Sequence, residues 1–276
     1  MQAMTREDTR VGPLELLVGV ADGRYRALMA SGTAIEWTDA TWNPTTGCRK
    51  VSPGCDHCYA ATLAKRLKAM GNPRYQKDGP DGLGFGLTLH RDKIEEPLGW
   101  AAPRRVFVNS MSDLFHPAVS EAFLRDVYSV MARCPQHQFQ VLTKRPARMA
   151  QFVPRVLDRL RLQVPQNVWL GTSIESNEYL DRAMWLRKTP AKVRFLSLEP
   201  LLGPLPDLDL AEIDWVIVGG ESGPRHRPMD PRWVREIRDR CREAGVRFFF
   251  KQWGGRTPKA GGRILDRRTW DEMPRA

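Results

Sequence analysis

Six short apolar runs set the rhythm of the chain: RVFVNSMSD, FQVLTKRP, VWLGTSIE, VRFLSLEP, WVIVGGESG and VRFFFKQWGG. They recur at intervals of roughly 20 to 45 residues, are rich in β-branched and aromatic side chains, and are mostly separated by stretches of helical period. Ser120 caps one such stretch, which puts Phe123, Leu124, Val127 and Met131 on one face. Asp230 and Pro231 open another, with Val234, Ile237 and Cys241 inward and Gly245 as its stop. The segment YAATLAKRLKAMG predicts a helix with Leu63, Leu67 and Met70 on its apolar side and Gly71 at its end. From Asn72 to Trp100, frequent glycines and charges predict a long loop with one short strand around Leu87 to Leu89.

A first strand around Ile35 to Trp37 brings the total to about seven. Strands alternating with helices predict a parallel sheet. Seven of them without a switch signal predict an α/β fold, a partial TIM-type (β/α) barrel. The length of 276 residues suits one such core. Residues 1–33 show no clear period and read as an appendage, with Met29 a candidate initiator, leaving residues 34–276 as a single barrel domain.

Every apolar run ends in polar groups. They are Asn109, Ser110 and Asp113; Thr143 and Lys144; Thr172, Ser173 and Glu175; Ser197 and Glu199; Gly219, Gly220 and Glu221; and Lys251 and Gln252. In a barrel of this kind chemistry gathers where strands finish, so these residues predict one ring of donors and acceptors. Strand ends are polar for structural reasons too, but acids set just past buried strands, in SLEP and GGES, are less easily explained that way. Glu221 can accept from an ammonium or a ribose hydroxyl, and Lys144 and Arg145 can meet a carboxylate or phosphate.

The formal charge of +11 adds an attraction for polyanions, concentrated in Lys65, Arg66 and Lys68; Arg104 and Arg105; Lys144, Arg145 and Arg148; and Arg225 and Arg227. Solvated helix faces also produce such an excess, so charge leaves nucleic acid and no partner both open. The apolar stretch PLELLVGV is too short to span a bilayer, and the amino-terminal region lacks the layout of a secretion signal. With an odd number of cysteines, the expectation is a reducing, cytoplasmic setting without membrane.

Three of the five cysteines lie in GCRKVSPGCDHCYA, at Cys48, Cys55 and Cys58, in a C-x6-C-x2-C spacing followed by Tyr59. Three thiolates suit a zinc site completed by a fourth ligand, for which His57 is at hand, or a 4Fe-4S cluster with one iron free of protein ligands. A second C-x2-C pair of the zinc-ribbon kind is absent. Cys134 and Cys241 fall on helical patterns, where a small buried residue is expected. A disulfide would leave one thiol of the three unpaired.

These residues resemble the radical S-adenosylmethionine superfamily, whose three-cysteine loop follows the first barrel strand and whose third cysteine is usually followed by an aromatic residue, here Tyr59. The run IEWTDATWNPTTGCRKVSPGCDHCYA, with NSMSDLF, VLTKRP, SLEPLLG, VIVGGESG, FFFKQWGG and GGRTPKAGGRILDRRTWDEMP, resembles a phage and prophage family of three-cysteine proteins over Ile35 to Pro274. More distantly it is similar to the spore photoproduct lyase branch, which repairs thymine dimers in DNA. Six residues rather than the superfamily's usual three separate Cys48 from Cys55, so the loop is longer.

The resemblance implies a radical SAM-like barrel in which Cys48, Cys55 and Cys58 hold three irons of a 4Fe-4S cluster, with S-adenosylmethionine on the fourth. It implies reductive cleavage to a 5'-deoxyadenosyl radical that abstracts hydrogen from a substrate, with DNA or a nucleotide the candidate. An external donor such as flavodoxin or ferredoxin would supply the electron. Candidate cofactor contacts are Tyr59, Asn109, Ser110, Asp113, Lys144, Ser173, Glu199 and Glu221. Two other readings compete: a non-catalytic, zinc-stapled nucleic-acid-binding protein, and a hydrolase using Asp113, Glu199 and Glu221 around a divalent metal. The last leaves the cysteines without a role.

Overall fold

Among the described residues the strand and helix rhythm resolves, in the computed structural model, into nine strands and five α-helices. In chain order they are β1 (Ala40–Trp42), β2 (Thr45–Thr46), α1 (Tyr59–Ala69), β3 (Thr88–Leu89), β4 (Arg105–Val108), α2 (Glu121–Arg133), β5 (Gln138–Thr143), α3 (Pro146–Leu160), β6 (Val168–Ser173), α4 (Asp181–Arg187), β7 (Val193–Leu198), β8 (Trp215–Gly219), α5 (Pro231–Glu243) and β9 (Arg247–Gln252). The structure describes residue 33 and residues 35–275. The expected appendage of residues 1–33, apart from residue 33 itself, and with it the candidate initiator Met29, lies outside the described residues.

Seven strands form one sheet in the order β1-β4-β5-β6-β7-β8-β9, with every neighbouring pair parallel. The sheet curls. In a flat sheet, at about 4.8 Å per strand, the first and sixth strands would stand roughly 24 Å apart. Yet Trp37, just ahead of β1, meets the Trp215 ring on β8 at 6.2 Å. Trp169 of β6 and Phe249 of β9 reach the same ring at 6.0 and 6.1 Å. The result is a half-closed barrel with β1 and β9 as its edges, the partial (β/α) barrel that the alternation of elements predicts.

Alternation along each strand decides what faces where. Phe107, Trp169, Phe195, Trp215, Ile217 and Phe249 fill the concave side. Their neighbours Val106, Val108, Leu170, Leu196, Val216, Phe248 and Phe250 pack outward under the helices. Gly171 makes room on the crowded side, because a Cβ there would fall 2.5 Å from the Phe195 ring. The helices present the expected faces: Ser120 accepts from the Phe123 amide, Asp230 from that of Arg232, and Gly245 follows α5 at φ +68°.

Three details differ from the sequence reading. The first strand is Ala40–Trp42, not Ile35 to Trp37, because Trp37 is spent plugging the barrel interior and the ladder with β4 starts at Ala40. In α1 the period is right and the face is not. Ala60 and Ala64 are the buried residues, while Leu63 and Met70 are exposed. The small side chains let the 75–85 segment approach closely, and a Cβ on Gly84 would lie 2.9 Å from the Ala64 carbonyl. No α-helix separates β7 from β8. The short strand expected near Leu87 is present as β3 and pairs antiparallel with β2, two residues ahead of Cys48.

Candidate functional site

The loop from Gly47 to Cys58 is tied to the carboxyl ends of four strands. It starts where Gly47, at φ +81°, packs so tightly on Gly86 that a Cβ would sit 2.3 Å from the Gly86 oxygen. The Gly47 amide donates to the Met111 carbonyl after β4 at 3.0 Å, and the Cys48 amide to Phe85 at 3.2 Å. Any side chain at Gly47 would break this entry.

Beyond β5, Arg145 reaches across the loop. Its guanidinium donates to the Arg49 carbonyl at 2.6 Å, to the Cys48 sulfur at 3.5 Å and to Asp113 at 2.8 Å. Asp113 also accepts from the Thr143 hydroxyl at 2.7 Å and from the amides of Phe115 and Lys144 at 2.9 and 3.2 Å. Beyond β6, the fully buried Glu175 accepts from the Gly54 amide at 3.4 Å and pairs with Arg182 at 2.8 Å and Lys144 at 3.4 Å. Burial would raise its pKa, but the charges of Lys144 and Arg182 hold it below the ordinary range. Gly54 lies where a Cβ would stand 3.1 Å from that carboxyl.

Beyond β8, Glu221 takes a bidentate grip from Arg227 at 2.5 and 2.9 Å and meets His57 Nδ1 at 3.0 Å. Burial alone would push its pKa up; the hydrogen bonds of Arg227 and His57 win and hold it at about 2. Arg227 continues to the Pro53 carbonyl at 2.8 Å and to Asp56 at 3.7 Å. Arg145, Glu175 and the Arg227–Glu221 pair therefore fix the start, middle and end of the cysteine loop.

Cys48, Cys55 and Cys58 are free thiols, all half-buried. Cys48 and Cys58 pack beside Ala60, Ala64, Phe85 and Met111. Burial pushes the Cys48 thiol up to about 11, with the Asp113 charge adding and Arg145 opposing, and burial raises Cys58 as well. Both therefore stay protonated near neutrality, and a metal that takes them must displace protons. His57 turns its Nδ1 to Glu221, and among the described residues no three His, Cys, Asp or Glu side chains converge on one ion. Three thiols in one clamped loop are a donor set that a 4Fe-4S cluster with one iron free of protein ligands would accept.

The remaining candidates fall into two groups. Asn109 is buried at φ +61° and gives its amide to Thr45 at 2.9 Å, and Ser110 bonds Asn43 at 3.1 Å while its carbonyl accepts from the Tyr59 hydroxyl. Those two shape the turn after β4. Tyr59, more than half exposed, Lys144, the buried Ser173 and Glu199 stand around the mouth. Glu199 is paired with Lys251 at 2.5 Å, and Gly219 leaves it room, since a Cβ there would lie 3.2 Å from its carboxyl. Asp113, Glu199 and Glu221 each hold their own cation, Arg145, Lys251 and Arg227.

Sequence reasoning left Arg182 without a role and saw Arg227 only as surface charge. The clue to Arg227 was its place six residues after Glu221 in a segment with little apolar content. A cavity of about 680 Å³ lies at the opposite end of the strands, by Lys192, Asp214 and Arg247, and holds none of the singled-out residues.

Fold and site together define a partial (β/α) barrel carrying a three-cysteine loop over the carboxyl ends of its strands. The chain belongs to the family described as protein of unknown function (DUF5131), which matches residues 32–274. No curated protein matches it. Among solved structures it is similar to spore photoproduct lyase complexed with dinucleoside spore photoproduct, at 13% identity and a TM-score of 0.44, covering 78% of this chain and 64% of that chain. It is similar also to a double mutant of that lyase with bound AdoMet and dinucleoside spore photoproduct, at 13% identity and a TM-score of 0.43, with the same coverage. The chain thus spans 64% of the length of these lyase chains. Among the described residues no helix is long and apolar enough to cross a membrane.

Proposed function

We propose that the protein is a radical S-adenosylmethionine enzyme, with Cys48, Cys55 and Cys58 as the ligands of a 4Fe-4S cluster and DNA or a nucleotide as substrate. The observation that carries this reading is the clamped loop: it bears three free thiols and is held at Cys48 by Arg145, at Pro53 by Arg227 and at Gly54 by Glu175, at the end of the barrel where such folds do chemistry. When bound, the cluster and S-adenosylmethionine supply a one-electron reductive cleavage and thereby a hydrogen-abstracting radical.

This chain's residues prepare the site. Asp113, Glu175 and Glu221, through their cations, fix the loop before any metal arrives, so its ordering costs less on binding. Tyr59 at the start of α1, and Lys144, Ser173 and Glu199 at or just past the ends of β5, β6 and β7, are the groups that would orient the cofactor's amino-acid and ribose ends. Ser110 positions Tyr59, and Asn109 positions the turn that carries Ser110. The aromatic plug of Trp37, Trp169 and Trp215 closes the interior to water. An external one-electron donor, a flavodoxin or ferredoxin, completes the system.

The test is electron paramagnetic resonance of anaerobically reconstituted, dithionite-reduced protein, with and without S-adenosylmethionine, alongside iron, sulfide and zinc analysis. A 4Fe-4S signal that changes on adding S-adenosylmethionine is expected. Stoichiometric zinc with no cluster would overturn the reading and make the loop a staple.

A further inference from the structure

Beside Cys48 the surface gathers more positive charge than its own fold uses. Arg145 is shared among Cys48, the Arg49 carbonyl and Asp113. Arg49 is exposed, and only its backbone is engaged there. Arg148 follows at the first turn of α3, its amide bonded to the Arg145 carbonyl at 3.1 Å. Its guanidinium is fixed by the Val119 carbonyl at 2.6 Å and lies 4.1 Å from the centre of the Phe152 ring. The Arg148 Nε has no protein acceptor. His116 closes the group: its amide bonds Asp113 at 3.0 Å, and its carbonyl accepts from Val119 at 2.9 Å.

Against three guanidiniums stands one carboxylate, Asp113, whose oxygens are already taken by Arg145, Thr143 and two backbone amides, while the His116 Nδ1 accepts from the Ala118 amide at 3.2 Å and leaves Nε2 as the ring's donor. Asp56, the next carboxylate along the loop, pairs with the Lys50 ammonium at 3.8 Å and Arg227 at 3.7 Å, and Asp81 accepts from the Lys50 amide at 2.9 Å. Among the described residues neither Arg49 nor Arg148 has an acidic partner. The local potential is positive enough to act on its own members. Burial first, then the charges of Arg145, Arg148 and Arg49, lower the pKa of His116, with Asp113 opposing. Guanidiniums without an acidic partner suit one ligand chemistry above others, a tetrahedral oxyanion.

We propose that Arg49, His116 and Arg148 form a phosphate-binding site at the rim of the barrel mouth, which anchors a phosphate of a nucleotide unit next to the cysteine loop. Whether that phosphate belongs to a strand or to a free nucleotide, the recognised chemistry is the same. The inference deepens the proposed function by naming the charged handle of the substrate. It rests on that reading only for the claim that the anchored molecule is the one acted upon.

The test uses the full chain, reconstituted with iron and sulfide. Fluorescence anisotropy with a 5'-labelled thymidine dodecamer measures binding across a salt series, with thymidine monophosphate and uncharged thymidine as competitors. The double variant Arg49→Gln/Arg148→Gln is expected to bind about tenfold more weakly, with the slope of log affinity against log salt reduced by about 1. Arg148→Lys, which keeps the charge and the packing on Phe152, is expected to recover most of the loss. Thymidine monophosphate should compete and thymidine should not. Competition by the monophosphate at concentrations close to those of the unlabelled dodecamer assigns a nucleotide phosphate, and a strong preference for the dodecamer assigns a strand.

Unchanged affinity and salt slope in a double variant of wild-type melting temperature would overturn the site. So would equal competition by thymidine. Iron content measured on the same samples separates the two ideas. A wild type without cluster defeats the enzyme reading while the binding data still judge the phosphate site, and a clustered protein with unaltered salt dependence defeats only the latter.

Discussion

Cys55 and Cys241 carry the same atom into opposite environments. Cys55 lies half-buried in the loop over the strand ends, whereas Cys241 is sealed in α5, where burial pushes its thiol up to about 12. A ligand must give up its proton, and a fully buried thiol with no cation beside it does so poorly. Cys55→Ala should therefore abolish iron and sulfide binding in reconstituted protein. Cys241→Ala should keep both and lose only about 1–2 kcal/mol of stability in urea titration. Full iron in the first variant would remove Cys55 from the ligand set. Glu221 tests the clamp in the same way. Glu221→Gln keeps the shape but gives Arg227 and His57 a neutral partner, so the melting curve should show a loss of about 1–3 kcal/mol. The cluster should also bleach faster in air, as the loop loosens. A stable variant with unaltered bleaching would mean that Arg227 holds Pro53 without needing the charge.

Between elements, charge pairs set the register of the sheet's outer edge. Asp39, just before β1, accepts from the Arg105 amide at 2.8 Å and from its guanidinium at 2.7 and 3.1 Å, pinning β1 to the start of β4. The Arg105 side-chain hydrogen bonds lower the Asp39 pKa. A depressed carboxylate contributes stability above its unfolded pKa, near 3.9, and loses it as pH falls through the folded value. Asp39→Asn should thus cost about 0.5–1 kcal/mol at pH 7, discounted because both side chains are more than a third exposed. The gap from wild type should begin to narrow below about pH 4 and close only below the lowered folded value. A gap that does not narrow at all on acidification below about pH 4 would assign the effect to packing.

The same scale shows what the sequence reveals and what it hides. Capped helices such as the one opened by Ser120 are legible because period and cap agree locally. The first strand is misplaced because Trp37 is as apolar as a strand residue but serves the interior, a choice only the curled sheet makes. The ring of strand-end acids is legible too. Its purpose is not, because the partners that give it meaning are separated by up to 164 residues, as in His57 and Glu221.

At the scale of the whole molecule, a seven-stranded sheet whose first and last strands do not pair with each other has to be held curved by what fills its hollow. The Trp215 side chain is fully buried and stands at the centre of that filling. Trp37, Trp169, Phe195 and Phe249 surround it with ring separations of 5.6 to 6.2 Å, and its indole N–H reaches the Glu272 carbonyl at 2.8 Å. These contacts join β6, β7, β8 and β9 to the segment before β1, so removing the ring removes the link between the two ends of the sheet. Trp215→Ala should cost about 3–5 kcal/mol, read as a shift in the urea midpoint. Trp215→Phe retains an aromatic ring and should cost clearly less. Because the cysteine loop is anchored on strands from both halves, the alanine variant should also take up less iron at temperatures well below its melting point. Wild-type iron uptake with a lowered midpoint would mean that the loop clamps alone set the mouth. An unmoved midpoint would mean that the outer helices, not the aromatic filling, hold the curve.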